Sequence, residues 1–243
     1  FVIPSQGGQV QRLTWHQDSE SLHGWLNDRT ILIGTTRDRW YSRYGRDKGV
    51  WSVSLDGGDP KLIGDFPAQR VSASPNGKFL VYESGSGDVR RRAYRGTAAS
   101  NLWVYDFQSM AHRRLTQRDG NDMHPMVDGN SETIYFLSDR RWKNNPDGRE
   151  MALWKVDFQG GEPKPVAGKI NQSLRNPQLS AATSWAVAEV GKELVQINLD
   201  NGATQPLLVF GSLDGGAPQF RHVTVSQGAK ELAVSPDGES VAF

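Results

Sequence analysis

The chain has 243 residues, of which 28 are basic and 27 acidic, so its formal net charge is +1. This balance gives no overall attraction for nucleic acid or for an anionic membrane. The chain has no cysteine and no apolar run long enough to span a membrane, which excludes disulfides, cysteine-based metal sites, a cysteine nucleophile and a membrane-spanning helix.

Short β-type runs alternate with glycine-containing turns along the chain. One kind of turn carries Gly-Gly or Asn-Gly after a short apolar run, and its copies are Gln6-Gly7-Gly8, Asp56-Gly57-Gly58, Gln159-Gly160-Gly161 and Asp200-Asn201-Gly202. Gly and Asn reach the positive φ that tight hairpins need, so each copy predicts a hairpin. The turn Gln108-Ser109-Met110 takes the same place between two further runs but lacks glycine.

A second kind of turn is interleaved with the first. The segments Val71–Tyr82 and Leu232–Phe243 are near copies, each built around Ser-Pro-Asn/Asp-Gly. Proline presets the first corner of such a turn, and Asn-Gly or Asp-Gly supplies the reversal. Together the two turns define a repeat of four strands over about 50 residues.

A lone four-stranded sheet cannot cover both of its faces and must stack on its neighbours, as propeller blades do. We therefore predict an all-β protein, a single β-propeller of four-stranded antiparallel blades over residues 1–243. Whole blades are predicted at 15–64, 65–116, 117–168 and 169–209, with half-blades at 1–14 and 210–243. If the half-blades meet, the ring has five blades; otherwise the chain is a fragment of a six- or seven-bladed ring. The ends fall inside β-type runs, which predicts a segment of a longer multidomain chain.

Known catalytic motifs are absent from the sequence. The chain has no Gly-x-Ser-x-Gly elbow, no phosphate-binding glycine loop and no metal-binding histidine pair. We therefore predict no catalytic residue, no cofactor and no metal site. His23 and His124 fall on the innermost strands of their blades, where a packed or hydrogen-bonded channel-wall histidine is favoured over a metal ligand. Aspartates at the third strand ends, Asp56, Asp106, Asp157 and Asp200, are predicted to cap the turns.

Positive charge is concentrated in three predicted loops between second and third strands, at residues 37–48, 83–100 and 139–150, whereas the rest of the chain is acidic. All such loops emerge on one face of a propeller. Candidate substrate-guiding residues on this face are Arg39, Trp40, Arg43, Tyr44, Arg90, Arg91, Arg92, Arg95, Arg140 and Arg141. Three interpretations remain open: a solvated or interdomain face, recognition of peptides or carboxylates, and nucleic-acid binding, which the acidic remainder of the surface disfavours.

Several segments carry a family resemblance. Val71–Tyr82 and Ala233–Phe243 look like the repeats of TolB-like, WD-like propellers, and the stretches Tyr94–Asp106 and Thr133–Arg140 resemble the N-terminal propeller of tricorn-type proteases and their bacterial relatives. The resemblance implies a parent chain with a second propeller, a PDZ domain and a C-terminal serine peptidase domain. None of the family's catalytic positions falls in this segment. It also implies peptides or unfolded protein segments as partners, a possible oligomer, and a periplasmic location, with the cytoplasm as the alternative.

The leading functional hypothesis is therefore a non-catalytic propeller that filters or guides peptides toward a protease domain outside this segment. Two alternatives remain open. One is a TolB-like protein-interaction propeller with no enzyme attached, and the other is the propeller lid of a prolyl-oligopeptidase-like hydrolase.

Overall fold

The computed structural model describes residues 1–37, 48–91, 93–166, 172–180, 183–207, 233–238 and 240–242. All regular structure in these residues is β-strand, and no helix suited to crossing a membrane occurs in them. The strands, in chain order, are β1 (Val2–Pro4), β2 (Glu20–Asn27), β3 (Thr30–Thr35), β4 (Gly49–Ser54), β5 (Lys61–Gly64), β6 (Val71–Ala73), β7 (Phe79–Ser84), β8 (Asn101–Asp106), β9 (His112–Arg114), β10 (Asp122–Val127), β11 (Thr133–Ser138), β12 (Ala152–Asp157), β13 (Lys164–Pro165), β14 (Leu174–Leu179), β15 (Trp185–Val190), β16 (Glu193–Asn198), β17 (Thr204–Leu207), β18 (Ala233–Val234) and β19 (Ser240–Ala242).

Within the described part of the chain, four sheets have four strands each, and in each of them the strands follow one another in chain order. The first sheet holds β2–β5, the second β6–β9, the third β10–β13 and the fourth β14–β17. Every pairing within these sheets is antiparallel. The predicted all-β propeller with four-stranded antiparallel blades is therefore confirmed, and the exact blade boundaries remain predictions.

The core lies between neighbouring sheets. Val81 and Leu102 of the second sheet pack with Ile134 and Phe136 of the third in one buried cluster. Similar clusters join the first sheet to the second and the third to the fourth. Because each sheet buries apolar side chains against the next, the hydrophobic effect holds the sheets in a stack.

The first strands of the sheets line the inner side of this stack. Contacts run from β18 to β2, from β2 to β6, from β6 to β10 and from β10 to β14. The loops between second and third strands consequently leave the stack at one face, and the loop of residues 85–100 is the longest one that the structure describes almost completely.

The two ends of the chain share one sheet. Strand β1 pairs antiparallel with β19, which also pairs with β18. On its other side, Val2 of β1 exchanges backbone hydrogen bonds with Gln11 at 2.8 and 2.9 Å. The two predicted half-blades thus meet in a joining sheet of β18, β19 and β1. Residues 208–232, between the fourth sheet and β18, lie outside the described residues, so the total blade number remains a prediction.

The predicted turns have the expected backbone. Gly57 and Gly77, one from each kind of turn, have φ values of 88° and 68°. At the turn without glycine, Met110 adopts a φ of 54°, in a region that is costly for a side chain.

Candidate functional site

The loop of residues 85–100 separates two arginine-lined cavities at one face of the second sheet. The inner cavity, of about 580 Å³, reaches Gln69 and Arg70 beside β6 and Met123 of β10. The outer cavity, of about 710 Å³, reaches Trp103 of β8 and Arg114 of β9. The inner cavity therefore opens toward the first strands and the outer cavity toward the outer strands of the blade.

The two ends of this loop lie close together where it leaves the sheet. Ser86 donates its backbone N–H to the carbonyl of Ala98 at 3.2 Å. Gly85 has a φ of 129°, and a Cβ there would lie 2.7 Å from the carbonyl oxygen of Ala99. A side chain at this position would force the two ends of the loop apart. Glycine therefore allows the loop to begin and end at adjacent points of the sheet.

Among the residues that the structure describes, Arg70, Arg90 and Arg91 line the inner cavity together with one acidic residue, Asp88. The Arg90 side chain donates to both carboxylate oxygens of Asp88, at 2.7 Å from Nη2 and at 3.0 and 3.1 Å from Nε. These bonds lower the pKa of Asp88 to about 2. The guanidinium of Arg91 lies over the ring of Tyr94, 3.9 Å from its centre. The cavity wall thus carries more positive than negative charge and presents planar donors suited to carboxylates.

A buried carboxylate fixes Arg70 and the loop to the sheets. Glu83 is fully buried and accepts hydrogen bonds from Ser100 Oγ at 2.9 Å and from the backbone N–H of His124 at 3.1 Å. Arg70 Nη1 lies 3.6 Å from its carboxylate. Burial raises the pKa of Glu83, while Arg70 and these hydrogen bonds oppose the rise. The sequence does not indicate this pair, because Arg70 lies outside the basic loops and Glu83 is only the first residue of the loop predicted at 83–100, with no motif around either residue.

His124 occupies a bulge of the innermost strand β10, with a φ of 52°. Its side chain is buried, and burial together with the nearby charge of Arg70 lowers its pKa to about 3. The ring is therefore neutral at neutral pH.

His23, on β2, is the innermost-strand histidine of the first sheet. The residue is half-buried, but its Nε2 is fully buried and has no hydrogen-bond partner among the described residues. Burial, followed by the charges of Lys48 and Arg70, lowers its pKa to about 3. The described residues contain no cluster of potential metal ligands. Roles for His23 and His124 at a channel wall remain predictions.

Two further candidates form ion pairs with aspartates of the third sheet, and of these Arg95 comes from the loop of the second sheet whereas Arg140 follows β11 of the third. Arg95 donates to Asp139 Oδ2 at 2.9 Å, and Arg118 donates to Asp139 Oδ1 at 2.6 Å. Arg140 forms an ion pair with the buried Asp122. Much of the positive charge counted in the sequence is therefore neutralised in place.

The other candidate substrate-guiding residues line neither cavity among the described residues. Arg141 is exposed. Arg39, Trp40, Arg43, Tyr44 and Arg92 lie outside the described residues.

The predicted aspartate caps occur in two of the four turns. Asp106 accepts hydrogen bonds from the backbone N–H groups of Gln108 and Ser109, and Asp157 accepts one from Gln159 at 2.7 Å. Asp56 forms an ion pair with Arg29 instead. In the fourth sheet, Asn198 caps the turn, because its side-chain oxygen accepts a hydrogen bond from the backbone N–H of Asp200 at 3.0 Å. Asp106, Asp157 and Asn198 therefore stabilise their turns.

The profile of the tricorn protease N-terminal β-propeller domain matches residues 1–203. No curated protein sequence matches the chain. Among solved structures, tricorn protease shares a TM-score of 0.65 and 17% identity over 81% of this chain and 18% of its own.

TolB from Acinetobacter baumannii gives a TM-score of 0.59 and 17% identity over 78% of this chain and 43% of its own. A putative TolB from Agrobacterium tumefaciens gives 0.58 and 18% over 88% of this chain and 69% of its own. Identities this low show a shared fold, and the chain spans less than half the length of the first two of these proteins.

Proposed function

Since the chain belongs to the family of tricorn protease N-terminal β-propeller domains, we propose that it is a non-catalytic domain that guides peptides toward a serine peptidase domain elsewhere in its parent chain. The observation that carries this proposal is the inner cavity. There, Arg70, Arg90 and Arg91 outnumber Asp88 beside the first strands of the second and third sheets.

The mechanism is electrostatic and steric, with no covalent step. A peptide carboxylate, either a C-terminus or an acidic side chain, is drawn to the arginines and pairs with their planar donors. Arg90 and Arg91 are exposed at the loop, whereas Arg70 is half-exposed and held by the buried Glu83. The exposed pair would meet an incoming peptide first, and Arg70 would receive it at the inner strands.

The remaining parts of the proposal concern assembly. We place a second propeller, a PDZ domain and the peptidase domain in the same parent chain, as the family implies. The pairing of β1 with β19 supports a ring closed as five blades. The compartment is proposed as periplasmic, with the cytoplasm as the alternative.

A second candidate function is a TolB-like protein-interaction propeller. The similarity of the fold to two TolB structures favours it. Such a domain would bind a folded partner over its surface, and its affinity would not depend on a free peptide carboxylate.

A peptide-binding titration separates these two functions. Fluorescence anisotropy would compare one labelled peptide with a free C-terminal carboxylate and the same peptide as its C-terminal amide. We expect the carboxylate form to bind more tightly. The double change Arg90→Gln and Arg91→Gln should weaken its binding about fivefold or more, since a charge-assisted hydrogen bond contributes about 1.5–3 kcal/mol.

The matched control removes two charges elsewhere, through Arg29→Gln and Arg175→Gln. Both control arginines form exposed ion pairs, with Asp56 and Glu189, and such pairs contribute little to stability. Equal binding of the acid and amide peptides, or equal loss in both double variants, would contradict the proposal.

A further inference from the structure

We infer that the outer cavity is a second binding site, specific for a small organic carboxylate. It is separated from the inner cavity by the loop of residues 85–100, with Arg95 on its outer side and Arg90 and Arg91 on its inner side. Three arginines, Arg95, Arg114 and Arg118, line it with one acidic residue, Asp119.

Each arginine of the outer cavity is held by one edge of its guanidinium. Arg114 donates from Nε to the carbonyl of Thr116 at 3.0 Å. Arg118 donates from Nη1 to Asp139 at 2.6 Å, and Arg95 does so from its own Nη1 at 2.9 Å. In none of these three arginines does Nη2 donate a hydrogen bond to another described residue. The groups are therefore oriented in advance yet retain free donors, which lowers the entropic cost of binding.

The backbone beneath the cavity is also fixed. The side-chain oxygen of Asn101 accepts the backbone N–H of Arg118 at 3.1 Å. Its amide nitrogen donates to the carbonyl of the same residue at 3.4 Å. These two hydrogen bonds hold the start of β8 beside the segment that carries Arg118, so the Asn101 side chain helps to set the distance between the two walls of the cavity.

Charge balance selects the kind of anion. The outer cavity and the ion pairs behind it contain four arginines and three aspartates, which are Arg95, Arg114, Arg118, Arg140, Asp119, Asp122 and Asp139. Among these described groups, the surplus is a single positive charge. A carboxylate, with one negative charge, balances it, whereas a phosphate monoester carries up to two at neutral pH.

One aromatic ring on the cavity wall favours a carboxylate that also carries an apolar body. The cavity, of about 710 Å³ and open to solvent, leaves room beside the arginines for more than a carboxyl group. The ring of Trp103 lies on its wall, and the guanidinium of Arg114 is 5.8 Å from the centre of that ring. An aryl or alkyl acid would place its carboxylate on the arginines and its body against Trp103.

The test uses phenylacetate, its neutral amide phenylacetamide, and inorganic phosphate as probes. Binding would be followed by NMR through the indole N–H resonance of Trp103, assigned with Trp103→Phe. We expect phenylacetate to shift this resonance in a saturable way and phenylacetamide not to do so. Tighter binding of phosphate than of phenylacetate would overturn the choice of ligand class.

The decisive variant is Arg114→Gln, and Arg113→Gln is its matched control. Both residues lie on β9, but Arg113 points away from the cavity and donates to the carbonyl of Phe158. Arg114→Gln should weaken phenylacetate binding about fivefold or more, and Arg95→Gln should weaken it as well. Equal affinity in the parent and Arg114→Gln proteins would overturn the site.

This inference stands apart from peptide guiding. The double variant Arg90→Gln and Arg91→Gln should leave phenylacetate binding unchanged while it weakens peptide binding. Loss of phenylacetate binding in that double variant would show that the two cavities are one site and would overturn the inference, whatever the outcome for peptides.

Discussion

His124 illustrates how a single side chain combines backbone strain, burial and charge. Its φ of 52° lies in a region where asparagine is far more common than most residues. The corresponding bulge of β14 contains Asn176, with a φ of 46°. The backbone N–H of His124 binds Glu83, and this bond does not depend on the imidazole. Asparagine should therefore keep the geometry at position 124 and remove the titrating group.

We predict that His124→Asn reduces the loss of stability in mild acid. The pKa of His124 is about 3 in the folded protein, against 6.5 for an ordinary histidine. Between pH 6.5 and pH 3, His124 is therefore protonated in the unfolded chain but not in the folded protein. The free energy of unfolding consequently falls as the pH drops below about 6.5. At pH 5 the histidine accounts for a loss of up to about 2 kcal/mol.

Thermal unfolding at pH 7 and pH 5 measures this effect. The fall in Tm between the two pH values should be smaller in His124→Asn by several degrees. His16→Asn is the control, because His16 is substantially exposed. An unchanged pH dependence in His124→Asn, with normal stability at pH 7, would contradict the assignment.

At the scale of the elements, the hairpin turns differ in one respect. Three of the four-stranded sheets use glycine in the turn between third and fourth strands, where Gly57, Gly160 and Gly202 have positive φ. The second sheet uses Met110, which has a φ of 54° and is 71% exposed. Its side chain gains little from packing, while a left-handed conformation costs a non-glycine residue about 1–2 kcal/mol.

We predict that Met110→Gly stabilises the protein by up to about 1 kcal/mol, because relief of the strain exceeds the entropy cost of glycine. For a chain of this length, Tm should rise by about 2–4 °C. The reciprocal change, Gly57→Met, introduces the same strain at a φ of 88° with open space around it and should lower Tm. A lower Tm for Met110→Gly would show that the methionine side chain makes a contact that outweighs the strain.

At the scale of the whole molecule, the joining sheet makes residues distant in the chain into neighbours. Ile3 of β1 faces Val241 of β19, and facing residues of antiparallel strands have Cα atoms about 4.5–5.5 Å apart. This spacing falls within the range of disulfides. Because the chain has no cysteine, an introduced pair cannot react with another thiol of the same chain.

We predict that Ile3→Cys with Val241→Cys forms an intramolecular disulfide under mild oxidation. Mobility in a non-reducing gel measures it. The control pair is Ile3→Cys with Ala233→Cys, since Ala233 lies on β18, beyond β19, and two strand spacings amount to about 10 Å. Failure of the first pair to cross-link, or equal cross-linking of both pairs, would contradict the joining sheet.

The local parts of this fold could be predicted from sequence. Glycine turns and β-type runs repeat because each hairpin is encoded within a few residues, and the four-stranded antiparallel blades follow from that repeat. The concentration of arginine in the loops between second and third strands is likewise visible in the sequence. These features depend on contacts between neighbours along the chain.

Only the tertiary structure decided which arginine side chains keep donors available for binding a ligand. Asp122 and Asp139 of the third sheet form ion pairs with Arg95, Arg118 and Arg140 through space and so hold part of their donors, and no spacing in the sequence indicates these pairs. The tertiary structure likewise placed Arg70 and Arg114 in two separate cavities and paired β1 with β19. The physical reason is that turn formation needs only local backbone energies, whereas charge pairing and cavities arise when sheets far apart in the chain pack together and exclude water.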